Sequence, residues 1–182
     1  MENENTPAKL PTLADLTTDL QVAWKNDSLN FLLNQEPPEK WIKVHPFIKN
    51  HKYLPIDKVE HLLRKIFKEY NIEITGQGTS FNGVCVSVRV HFKSPISGEW
   101  SYHDGIGASQ LQTKSGTSPA DMMNINNGAI SMAFPLAKTL AVKDSCDSFG
   151  SLFGANLNRR DVLPFKMDAK LESKSNAEKM AL

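Results

Sequence analysis

The segment FNGVCVSVRVHFK, residues 81–93, constrains the fold more than any other. Valine recurs at positions 84, 86, 88 and 90, and Phe92 follows in phase. Cys85, Ser87, Arg89, His91 and Lys93 take the alternate positions. A repeat of two places the valines on one face of a β-strand and the polar residues on the other. Such a strand belongs to a sheet with one apolar face, and another element must cover that face.

The flanking segments suggest what does so. NIEIT, before it, alternates and is expected to form a strand that GQG breaks. EWSYHDGIGA, after the turn SPISGE, reads as a third strand running into a glycine bend. A long helical stretch follows, from about Asp121 to Phe153, which Pro135 is expected to kink or divide. Near its end Val142, Cys146, Phe149 and Phe153 are spaced four, three and four apart. That stripe is expected to pack on the valine face, with Gly150 and Gly154 allowing close approach and a left-handed end. Upstream, PIDKVEHLLRKIFKEY carries Val59, Leu62, Leu63, Ile66 and Phe67 at helical spacing. A further helix is expected over 12–33, ended by the paired prolines of NQEPPEKW. The fold class is therefore α+β: an antiparallel meander of about three strands on a long helix, with an N-terminal helix. One domain is expected over 12–164, its core about 40–161, between disordered segments at 1–11 and 165–182.

Composition matters mainly for what it sets aside. No apolar run is long enough to span a bilayer, and the polar start MENENTPAKLPTL lacks the pattern of a secretory signal. A cytoplasmic protein with no membrane partner is expected. The two cysteines, Cys85 and Cys146, are far apart and outside any CxxC pattern, so reduced thiols are expected rather than a disulfide or metal framework. No HExxH or GxSxG occurs, and GIGASQ and GQGTSFNG are not phosphate-binding loops. His103 and Asp104 are adjacent and point to opposite faces of a strand. Cys146 reads as a core thiol. No cofactor, metal or catalytic residue is expected.

Net charge is +1, which alone favours no polyanion. Its distribution is uneven: between Lys40 and Tyr70 eight basic residues face three acids. There Trp41, Phe47 and Tyr53 interleave with Lys40, Lys43, Lys49 and Lys52, a pattern in which bases stack on rings while lysines follow phosphates. The same rings would equally serve to anchor a connector to the core. Arg89, His91 and Lys93 share the polar strand face. Lys143 lies about 100° round its helix from Val142, at the edge of the apolar stripe.

GVCVSVRVHFKSPISGEWSYHDGIGA, followed by SFGSLFG, resembles the Rad-fifty-two-like single-strand annealing proteins of recombination, particularly the shorter phage-borne forms. The matching residues are Gly83, Val84, Val88, Arg89, Val90, Ser101, Tyr102, His103, Asp104, Gly105 and Gly107, then Ser148, Phe149, Gly150 and Gly154. The spacing after His103 is slightly shorter than in the family pattern, and the likeness covers roughly Lys40 to Asp161. It implies a β-β-β-α core that assembles into rings or helical arcs. Single-stranded DNA would lie in a basic groove across subunits, and complementary strands would anneal there without ATP and without making or breaking a bond. A single-strand binding protein or an exonuclease would be a candidate partner. Lys143 matches a basic position of the long helix, Tyr53 and Lys58 match positions beside the groove, and Lys43 replaces an arginine. Asp144 and Asp147 stand where eukaryotic members are basic. Arg89 is matched by motif, as a DNA contact or as half of an ion pair. Charge and position add Lys52, Arg159 and Arg160. The alternative is an adaptor of recombination or replication that keeps the fold and binds little DNA. The two differ in whether Lys43, Lys52, Lys58 and Lys143 share one surface.

Overall fold

A computed structural model describes residues 19–46, 48–118 and 120–166. The expected disordered start at 1–11, most of the tail, and Phe47 lie outside them. The described residues fall into two compact units, 19–34 with 163–166, and 35–162. The first contains helix α1, Leu20–Leu33. The Asp19 carboxylate caps it by accepting from the N–H groups of Gln21 and Val22, at 2.9 and 3.2 Å. The expected core, 40–161, lies within the second unit, and the N-terminal helix lies outside it.

That second unit is α+β. A small hairpin, β1 (Lys43–Val44) and β2 (Lys52–Tyr53), precedes helix α2 (Ile56–Ile66). Strands β3 (Tyr70–Ser80), β4 (Gly83–Lys93) and β5 (Trp100–Gln110) form an antiparallel meander in the order β3-β4-β5. Helix α3, Ala129–Asp147, lies on one face of that sheet. The valine alternation is realised directly: Val84, Val86, Val88 and Val90 are all buried. No helix of the described residues is long and apolar enough to cross a membrane.

Three expectations are corrected. First, GQG does not break a strand. β3 runs through Gly76, Gln77 and Gly78, and the register steps from Ile74↔Val88 to Gly76↔Ser87. Thr75 is thus the extra residue of a β-bulge. The bulge moves the inward phase from Ile72 and Ile74 to Gln77 and Thr79, so both halves of β3 face the valines in register. Second, GIG is strand interior and not a bend. Gly105 and Gly107 lie opposite Val88 and Val86 on the covered face. Third, α3 starts at Ala129 and runs unbroken past Pro135. Asp121–Gly128 before it holds a short 3-10 turn, Met122–Asn124. The helix tolerates the proline because the loss is one N–H donor near its first turns, while its later turns are locked to the sheet.

The lock is an approach of backbone to backbone. Ala133, Ala137, Ala141 and Ser145 recur every four residues along α3 and are buried. A Cβ on Gly107 would fall 2.2 Å from the Ala137 carbonyl oxygen, and one on Gly105 2.2 Å from that of Ala141. The Ser145 hydroxyl donates to the His103 carbonyl at 2.9 Å, and the Asp144 carboxylate accepts the Ile106 N–H at 2.9 Å. β4 therefore supplies bulk, and β5 supplies room for the helix.

Past Asp147 the helical spacing expected for Phe149 and Phe153 gives way. Gly150 and Gly154, at φ 128° and 110°, turn the chain around a 3-10 segment, Ser151–Phe153. Both rings still enter the core. Phe149 lies 4.5 Å from Phe67, 4.8 Å from Phe92 and 4.9 Å from Phe153, between ring centroids. His103 joins them 4.7 Å from Phe149, and burial pulls its pKa down, favouring the neutral imidazole.

Candidate nucleic-acid interface

The hairpin, the end of α3 and the segment after it meet around Tyr53. In the β1–β2 register Lys43 pairs with Tyr53 and Val44 with Lys52. Directly paired residues share a face, so Lys43 and Tyr53 lie on one side of the hairpin and the Lys52 side chain leaves the other. The His45 N–H donates to the His51 carbonyl at 2.7 Å, and the His45 ring lies 6.0 Å from His51 and 6.2 Å from Tyr53. Lys143 reaches across from α3 and sets its Nζ 4.7 Å from the centre of the Tyr53 ring, a cation–π contact.

Lys143 is half-buried. Burial lowers its pKa, and the nearby Asp147 charge works against that shift. Asp147 presents an edge to solvent, but its carboxyl is crowded, with Oδ1 3.7 Å from where a Gly154 Cβ would sit. Desolvation first, and the Asp144 charge second, push its pKa up to about 6, against the pull of Lys143 and Arg159. The two aspartates that interrupt this basic region are thus unequal: Asp144 is engaged with the Ile106 N–H, and Asp147 takes up a proton at higher pH than an ordinary carboxylate. Arg159 and Arg160 are exposed on the chain leaving α3.

The other expected residues sit elsewhere. Lys58, on α2, places its Nζ 2.9 Å from Asp57 and 5.8 Å from the Trp41 ring centre, and Trp41 meets His61 edge-on at 5.8 Å. Arg89 lies on the outer sheet face, across the sheet from α3. Its guanidinium grips Asp104 with two bonds of 2.7 and 2.9 Å and stacks 4.0 Å over Tyr102. That bond lowers the Asp104 pKa and raises that of Arg89. His91 and Lys93, its neighbours on the strand, meet Glu73 at 2.8 Å and Glu69 at 3.0 Å. Of the two roles open to Arg89, the ion pair is the one formed, and the whole basic row is matched by carboxylates from flanking segments.

Asn158 escaped the sequence reading. Its side-chain amide accepts from the Lys52 N–H at 2.9 Å and donates to the Lys52 carbonyl at 2.8 Å. Nothing in NLNRRD distinguishes it from a loop asparagine, because its partner lies 106 residues away. Cys146 is buried, which pushes its thiol up to about 12, so it is inert. Among the described residues no three histidines, cysteines or carboxylates are grouped to hold a metal ion. No protein-family model matches the chain, and no curated protein gives a significant sequence match.

Proposed function

We propose that this chain binds single-stranded DNA and anneals complementary strands without ATP, as a homo-oligomer, ring or arc, in the cytoplasm of a bacterial or phage-infected cell. The observation that carries the reading is the stacking of Lys143 on Tyr53, with Lys43 on the same side of the hairpin. An aromatic ring beside cations can hold a single strand through phosphate neutralisation and stacking, with no need of an acid, base or nucleophile.

Assembly would multiply a modest site into useful affinity. Its support is an apolar stripe on the outward side of α3, where Met132, Leu136 and Leu140 stay 67%, 51% and 37% exposed. Beside it, Phe134, Pro135 and Lys138 of the same helix line an open hollow of about 310 Å³ with Ile74, Gln77 and Val86 of the sheet.

The test is annealing of two complementary dye-labelled oligonucleotides in EDTA without ATP, with oligomer size and strand integrity followed in parallel. Accelerated duplex formation with intact strands is expected. Asp144 and Asp147, which dilute the lysines, and Lys52, whose side chain leaves the opposite side of the hairpin from Lys43, favour the adaptor reading instead. A folded protein that neither binds single strands nor speeds annealing at any salt concentration would overturn the annealing reading and favour the adaptor.

A further inference from the structure

The β1–β2 hairpin has two residues in each strand, too few to hold its own geometry in water. Something outside it must fix where Tyr53 points. Both backbone polar groups of Lys52, the residue before Tyr53, are taken by the Asn158 amide. A carboxamide offers one acceptor and one donor side by side, as a neighbouring strand would. Asn158 itself is held by turns that follow Gly154: Leu157 donates to the Gly154 carbonyl at 3.1 Å, and Arg159 to that of Asn156 at 3.1 Å. The clamp therefore ties the strand bearing Tyr53 to the chain that leaves α3, the helix bearing Lys143.

We infer that Asn158 is a positioning residue for single-strand binding, whose amide holds β2 so that the Tyr53 ring lies beneath Lys143. The inference rests on the function proposed above. Asn158 need not touch DNA. Without it the hairpin frays, Tyr53 swings away from Lys143, and the platform loses its pre-formed shape. The β-meander and α3 do not depend on the clamp, so the fold should survive its loss.

The test combines a DNA-free readout with binding. Fluorotyrosine is incorporated and the three tyrosines are followed by fluorine NMR, the Tyr53 signal being assigned with Y53F. In Asn158→Ala the Tyr53 resonance should shift or broaden while Tyr70 and Tyr102 stay put. Affinity for a fluorescent oligothymidylate should fall about five- to tenfold. N158A combined with Y53A should bind no worse than Y53A alone, since residues acting through one another are not additive. Asn158→Gln, which keeps both the acceptor and the donor on a longer arm without adding charge, should fall between, and it serves if N158A misfolds. An unmoved Tyr53 signal, or a moved one with unchanged affinity, overturns the positioning role. A wild-type protein that fails to bind the oligonucleotide at all overturns the proposed function and this role with it, whatever the NMR shows.

Discussion

Lys143 and Asp147 sit one helical turn apart, and each bends the other's titration. Truncating Lys143 to Ala removes the cation above Tyr53 without opening the core. Single-strand affinity should drop roughly fivefold, and the slope of log affinity against log salt should shrink by about 1. Filter binding across a salt series checks both, with the melting temperature as a control that should fall by no more than a few degrees. For Asp147 the sign is set by its raised pKa. The folded chain holds a proton that the unfolded chain releases earlier, so stability falls as pH rises from about 4 towards about 6. Asp147→Asn should abolish that loss. Its urea midpoint should exceed the wild-type value at pH 8 and match it at pH 4, a modest effect because the residue is partly exposed. The same change should raise single-strand affinity at pH 8. Which residues meet was only half legible from sequence. Lys143 and Tyr53 stood out by charge, aromaticity and the family resemblance, but not as neighbours. The fate of Arg89 depended on strand register, which sets Asp104 directly opposite, and Asn158 depended on a contact no local pattern announces.

At the scale of elements, reading by period succeeded wherever one period dominated. β4 was legible because valine alternation has one meaning, and α2 because its apolar residues keep helical spacing. β3 and β5 were misjudged at their glycines. A glycine inside a strand signals a bend or a close approach, and only the packing partner decides between them. Here the partner is the alanine ridge of α3. Gly107→Ala should therefore be costly, about 3 kcal/mol or more in chemical denaturation, since its Cβ would meet helix backbone and neither side has a flexible end to move. Gly78→Ala, with nothing within 4 Å of the added carbon, is the matched control and should lie within about 0.5 kcal/mol of wild type. The end of α3 was misplaced for a related reason. Phe149 and Phe153 fit a helical stripe numerically, yet two left-handed glycines bring them to the same core by another path.

At the scale of the whole molecule, the α+β class and the helix-covered sheet followed from the sequence because burying one apolar face leaves few solutions. The surface by which copies would meet did not, since an exposed apolar stripe and a buried one look alike in a string of letters. If that stripe joins copies, Leu136→Lys should lower the mass seen by light scattering towards that of one chain and slow annealing, while each subunit stays folded.

Asp144 has a consequence at this scale as well. Its carboxylate occupies the Ile106 N–H on β5, one outer strand of the meander, and the Thr75 bulge interrupts β3, the other. Neither margin offers a clean ladder for a foreign strand to extend. Any contact between copies would therefore fall to side chains and not to a shared ladder, the arrangement that grows into insoluble fibre. A protein built this way is guarded against edge-to-edge aggregation when it is concentrated.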